Sequence, residues 1–195
     1  MARTSHVKRS TSETQIEVRL NLDGTGIQDI QTPVPFLDHM LSQLSRHGYF
    51  DLTVKAQGDT QIDSHHTVED VGIAVGQAFK EALGDKKGIR RFAEASVPLN
   101  EALAQCIIDI SGRAFFVFNL ELPKAKLGDF DVELVPEFFQ AFSANSGKTL
   151  HFNSPYWNNL HHITEALFKS FARALDSACT LDSRSGDVPS TKWTL

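Results

Sequence analysis

His65-His66-Thr67-Val68-Glu69 and, far downstream, His161-His162-Ile163-Thr164-Glu165 are the two stretches that decide how this chain is read. Each is an adjacent histidine pair followed by a glutamate, and each opens an apolar run, Val71 to Leu83 after the first and Ala166 to Ala178 after the second. Before the first stand Phe36-Leu37-Asp38-His39-Met40-Leu41 and Phe50-Asp51-Leu52-Thr53-Val54. Before the second stand Leu134-Val135-Pro136-Glu137-Phe138-Phe139 and Thr149-Leu150-His151-Phe152. His39 precedes His65 by 26 residues and Glu137 precedes His161 by 24. Like elements in like order at like spacing predict a duplicated unit.

The hydrophobic periodicity follows the same rhythm. Residues 14–22 alternate apolar and polar, as a half-buried strand does, and 23–26 is a turn. Pro35 to Ser45 places Phe36, Leu37, Met40, Leu41 and Leu44 at helical spacing. A strand over 50–57 and a long helix over 67–83 follow, the helix closed by Gly84 as a left-handed cap. The second half repeats strands (102–111, then 114–121), a helix (135–143), a strand (149–152) and a long helix (161–178). The expected fold is α+β: two similar β-α halves, about 6–92 and 93–180, with a mixed β-sheet layer packed against four helices. No Pro-, Gly- or Ser-rich linker separates the halves, so residues 1–195 read as one domain ending in a polar loop over 182–195.

Bulk properties narrow the function. Of 195 residues, 41% are hydrophobic and 22% charged, ordinary for a folded soluble protein. A net charge of -5 gives no basis for a nucleic-acid partner, although Lys86, Lys87, Arg90 and Arg91 could form a small anion pocket. No window reaches the length of a membrane span and the N-terminus has no signal-peptide core, so a cytoplasmic location is expected. Cys106 and Cys179 are too few and too far apart for a disulfide scaffold or thiolate zinc site, and Cys106 reads as a buried structural thiol.

On a helix, residues four apart share a face and adjacent residues point about 100° apart. His65 with Glu69, and His161 with Glu165, can each clasp one metal ion, while His66 and His162 aim elsewhere. If the halves face each other across a pseudo-two-fold, one ion takes His39, His66, His161 and Glu165. The other takes His65, Glu69, Glu137 and His162. Imidazole and carboxylate donors without thiolate suit Mn, Fe, Co, Ni or Zn, with positions left open for chemistry. A lone histidine is more often helix decoration than a ligand; two matched pairs in matched halves reverse that balance. A dinuclear hydrolase and a metal-cemented scaffold both remain open at this point.

Further motifs bring a family into view. Arg46-His47-Gly48, Asp63 to Asp70, Lys87-Gly88-Ile89-Arg90-Arg91-Phe92, Ser111-Gly112-Arg113, Gly128-Asp129-Phe130-Asp131 and Pro189-Ser190-Thr191-Lys192 resemble imidazoleglycerol-phosphate dehydratase, across nearly the whole chain. The resemblance implies a hydro-lyase of histidine biosynthesis. Its reaction converts D-erythro-imidazole-glycerol phosphate to imidazole-acetol phosphate and water, by a metal-assisted elimination through an imidazolate. It further implies a ribosomal protein S5 domain 2-like fold, two Mn²⁺ per active site, and a homo-oligomer of 24 subunits with metal sites between subunits. Catalytic roles fall to Glu13, as proton-shuttling carboxylate, and to His39, His65, Glu69, His161 and Glu165. Substrate contacts fall to Glu13, His47, Arg91, Arg113, Ser190 and Lys192, where arginine offers a fork to the phosphate and lysine a point charge. Gln61, Ser64, Asn100, Trp157 and Trp193 depart from the usual pattern, and Trp193 adds bulk beside Lys192.

Overall fold

The structure, a computed structural model, describes residues 3–195. In the first half, β1 (Thr4–Ser10) pairs antiparallel with β2 (Thr14–Asn21), and β2 with β4 (Asp51–Gly58). β3 (Gln28–Gln31) lies parallel to β4, so the sheet order is β1-β2-β4-β3. The helix α1 (Pro35–Gly48) links β3 to β4, and α2 (His65–Leu83) follows β4. The second half repeats this element for element. Its strands are β5 (Phe92–Leu99), β6 (Ala102–Asp109), β7 (Phe115–Asn119) and β10 (Thr149–Tyr156), in the order β5-β6-β10-β7. Again the last pair is parallel and the others antiparallel. Helices α3 (Leu134–Ser146) and α4 (Leu160–Cys179) take the places of α1 and α2. A short hairpin, β8 (Lys126–Leu127) with β9 (Phe130–Asp131), is inserted before α3.

The predicted sheet layer is thus two four-stranded mixed sheets, one per half. Alternation explains their buried faces: Ile16, Val18 and Leu20 on β2 and Ala104, Cys106 and Ile108 on β6 point inward. The helices join the halves crosswise, α1 packing on α4 and α2 on α3. Gly72 and Gly76 let α2 approach closely, since a Cβ at either would lie 2.8 Å from the Phe138 or Phe142 carbonyl oxygen. Beneath them Phe139 meets Phe152, Phe168 and Phe171 at ring separations of 4.4, 4.7 and 5.2 Å. Cys106 and Cys179 are both buried free thiols, and burial raises both pKa values.

Several boundaries differ from the sequence reading. β1, β3 and β5 are not foreshadowed; β1 buries only Val7 and β3 buries nothing fully, so neither has a hydrophobic alternation to detect. Gly84 closes α2 at φ 54°, ψ -125°, which is not the left-handed cap expected but a conformation open to glycine alone. α1 continues past Ser45 to Gly48, with Tyr49 in the left-handed region at φ 56°.

Candidate metal centre and active site

Crossed helix pairing brings candidate ligands from opposite halves together. His39 sits on α1, and His161 and Glu165 one turn apart on α4. Asn159 caps α4, its side-chain oxygen accepting from the backbone N–H groups of His161 and His162 at 2.9 and 3.1 Å, and so orients the pair. His39 Nε2 lies 3.1 Å and His161 Nε2 3.2 Å from the same Glu165 Oε2. Ligand atoms of these three residues all lie within 4.8 Å of one another, a spacing that fits one divalent ion among two nitrogens and an oxygen. Phe36 packs against both rings at 6.5 and 5.7 Å, and on Phe130 at 5.0 Å, walling one side.

Glu165 is held ionised. Burial is the largest single influence on it and opposes the charge. The ion pair from Lys169 Nζ to Oε1 at 2.6 Å, with the His39 and His161 bonds, outweighs burial and brings its pKa down to about 2. Lys169 was missed in the sequence, although its i+4 position from Glu165 on α4 was a usable signal.

The second cluster is looser. His65 Nε2 stands 3.8 Å from Glu69 Oε2 at the start of α2, and His65 and Glu137 line one cleft with Asp63, Asp131 and Glu133. Among the described residues, neither outlying histidine joins the group of His39, His161 and Glu165. His66 instead bonds Asp59, Nδ1 to Oδ2 at 2.9 Å, and His162 bonds Glu101, Nδ1 to Oε2 at 2.9 Å. The reason is geometric: each second histidine points about 100° away from its neighbour, off the helix pair that gathers the others. The bond from Asp59 raises the pKa of His66. Neither carboxylate was singled out from sequence, because each reaches its histidine across a turn and not along a helix. Glu13, on the β1–β2 turn, is half exposed with Oε2 3.9 Å from His66 Nδ1.

The anion-binding candidates converge elsewhere. Arg91, Arg113, Ser190 and Lys192 line one cleft of about 820 Å³, joined by Arg184 and Trp193. Arg91 is fixed by Asp109 at 2.7 Å and by the Pro189 carbonyl at 2.8 Å, which ties the 182–195 loop to the cleft. His47 lies apart from it on α1, bonded to Gln43 at 3.0 Å; burial, then Lys169 and Arg173, lower its pKa. The Arg91 N–H donates to the Ala178 carbonyl at the far end of α4. From His161 to Ala178 is about 25 Å of helix, so the candidate metal cluster and the candidate anion cleft stand at opposite ends of one element.

No helix among the described residues is long and apolar enough to cross a membrane. Known proteins agree on what the chain resembles. The family model described as imidazoleglycerol-phosphate dehydratase matches residues 32–175. The imidazoleglycerol-phosphate dehydratases of Trichlorobacter lovleyi and Geobacter sulfurreducens are each 57% identical over 195 residues, covering 100% of both chains in each comparison. The crystal structure of the Staphylococcus aureus enzyme matches with TM-score 0.83 at 39% identity, covering 92% of this chain and 99% of that one. The Pyrococcus furiosus structure matches with TM-score 0.84 at 32% identity, covering 97% and 100%. The chain belongs to the imidazoleglycerol-phosphate dehydratase family, hydro-lyases of histidine biosynthesis.

Proposed function

We propose that the chain dehydrates D-erythro-imidazole-glycerol phosphate to imidazole-acetol phosphate and water, with two Mn²⁺ ions per site and with each site completed by neighbouring copies in a 24-subunit assembly. The observation that carries the metal reading is the convergence of His39 Nε2 and His161 Nε2 on Glu165 Oε2. His39, His161 and Glu165 would hold one ion, with His65, Glu69 and Glu137 gathering toward a second. His66 and His162 turn away from both sets and are suited to complete the sites of other copies. When bound, the ions would supply Lewis acidity and a template for the imidazole ring and the hydroxyls.

The chain's own groups do the rest. Arg91, Arg113, Ser190 and Lys192 bind the phosphate, Arg113 by its planar fork and Arg91 by the N–H groups that Asp109 and the Pro189 carbonyl leave free. Glu13 moves protons. In the balanced reaction the C–O bond beside the ring breaks and the hydroxyl leaves as water. The adjacent carbon loses its proton, and the enol so formed takes a proton on the carbon beside the ring to become the ketone. An imidazole, three carbons and a phosphate span no more than about 10 Å at ordinary bond lengths. Such a substrate cannot bridge the two ends of α4, which supports a site built from the metal cluster of one copy and the anion cleft of another. Buried free thiols suit a reducing cytoplasm.

The test is turnover by the metal-stripped protein after Mn²⁺ is restored, followed as imidazole-acetol phosphate. Glu165→Gln is expected to lose that activity together with Mn²⁺ bound per chain. Full turnover by Glu165→Gln, or none by the parent with Mn²⁺ present, overturns the proposal.

A further inference from the structure

The duplication assigns matching positions to carboxylates that do different things. β4 and β10 are of equal length, so Asp59, just after β4, corresponds to Trp157, just after β10. Glu13, immediately before β2, corresponds to Glu101, immediately before β6. In the first half Asp59 takes the His66 Nδ1 at 2.9 Å, and Glu13 stays at 3.9 Å, beyond hydrogen-bonding reach. In the second half a tryptophan stands where Asp59 would. There Glu101 takes the His162 Nδ1 at 2.9 Å, and its other oxygen accepts the Asn159 backbone N–H at 2.8 Å.

We infer that Asp59 and Glu101 are positioning residues: each accepts Nδ1–H from the second histidine of its pair, fixing the tautomer and ring so that Nε2 is presented outward as a ligand. A histidine ligand whose far N–H is anchored on a carboxylate is oriented and made more basic. The same arrangement explains why one turn glutamate is available for proton transfer and its counterpart is not. Asp59 frees Glu13, whereas the absence of a carboxylate at Trp157 commits Glu101 to His162.

The inference rests on His66 and His162 being metal ligands, and the experiment separates the two ideas. Metal-stripped assemblies of the parent, Asp59→Asn, Glu101→Gln, Glu13→Gln and His162→Ala are titrated with MnCl₂ by calorimetry, and turnover is followed against Mn²⁺ concentration. Asp59→Asn and Glu101→Gln are expected to weaken Mn²⁺ binding roughly 10–100-fold. Their turnover should return at saturating Mn²⁺, as a purely structural lesion would not allow. Glu13→Gln should bind Mn²⁺ like the parent and stay inactive at any Mn²⁺ concentration. Glu101→Asp, which keeps the charge, should fall between Glu101→Gln and the parent. Parent-like Mn²⁺ affinity in Glu101→Gln, while His162→Ala loses Mn²⁺, refutes the positioning role alone. Parent-like binding by His162→Ala itself refutes the metal reading beneath it. Should Glu101→Gln fail to assemble, Asp59→Asn and Glu101→Asp decide by the same criteria.

Discussion

Replacing Lys148 with methionine should stabilise the fold, by an amount that fades as the solution is made alkaline. Lys148 begins the segment entering β10 and is wholly buried, its Nζ without a hydrogen-bond partner among the described residues. The Phe79 and Phe142 rings lie 5.8 and 5.5 Å from Nζ and offset only part of the desolvation. Burial, opposed by Cys179 and aided by Lys86 and Lys80, brings the pKa from 10.5 down to about 8. At about 1.4 kcal/mol per tenfold change in proton affinity, that gap disfavours the folded ammonium form by about 3 kcal/mol. Between pH 8 and 10.5 the unfolded chain keeps the proton and the folded chain has lost it, so stability rises with pH across that window. Below pH 8 the full penalty applies. Methionine is unbranched and fills the same channel without a charge. Unfolding free energies of parent and Lys148→Met from urea titrations at matched protein concentration should therefore differ by about 3 kcal/mol at pH 7 and converge near pH 10.5. Equal stability at pH 7, or a difference independent of pH, refutes the reasoning.

Gly76→Ala tests the crossed helix pairing. Helix propensity alone favours alanine by about 1 kcal/mol, yet its Cβ would lie 2.8 Å from the Phe142 carbonyl oxygen, so a net loss of about 1–3 kcal/mol is expected in thermal denaturation. A gain in stability contradicts the close approach. Phe139→Ala removes the ring at the centre of the second-half cluster and should cost about 3–5 kcal/mol in urea unfolding; a cost under about 1 kcal/mol would show that the site collapses. Arg113→Ala should raise KM for the phosphorylated substrate about 10–100-fold, the worth of one charged hydrogen bond, while Mn²⁺ binding is unchanged. An unaltered KM removes Arg113 from the anion cleft.

The duplicated halves were legible because paired histidines and long apolar runs recur at constant spacing. His39 could be matched to His161 and Glu165 because a pseudo-two-fold between the halves faces the first helix of one half with the second helix of the other. What stayed hidden shares a physical cause. Strand β1 is polar with Val7 alone buried, and an edge strand held by main-chain hydrogen bonds leaves little side-chain pattern. Asp59 and Glu101 reach their histidines across turns, where no helical spacing announces a partner. Nothing in the sequence around Lys148, between Gly147 and Thr149, marks it as buried; its packing against Phe79 and Phe142 does. The placing of His66 and His162 away from the other candidate ligands depends on helix orientation in space, which periodicity within one chain does not encode.

The claim that one copy's metal cluster works with another copy's anion cleft is tested most directly by complementation. Glu165→Gln disables the cluster at the start of α4, and Arg113→Ala disables the cleft at its far end. Assayed at substrate well below the parental KM, where each variant alone is nearly silent, the two chains co-expressed in equal amounts in one assembly should regain about a quarter of parental activity, from sites that draw each intact part from a different copy. Activity no greater than that of either variant alone would mean that each chain works with its own residues, and would contradict the account.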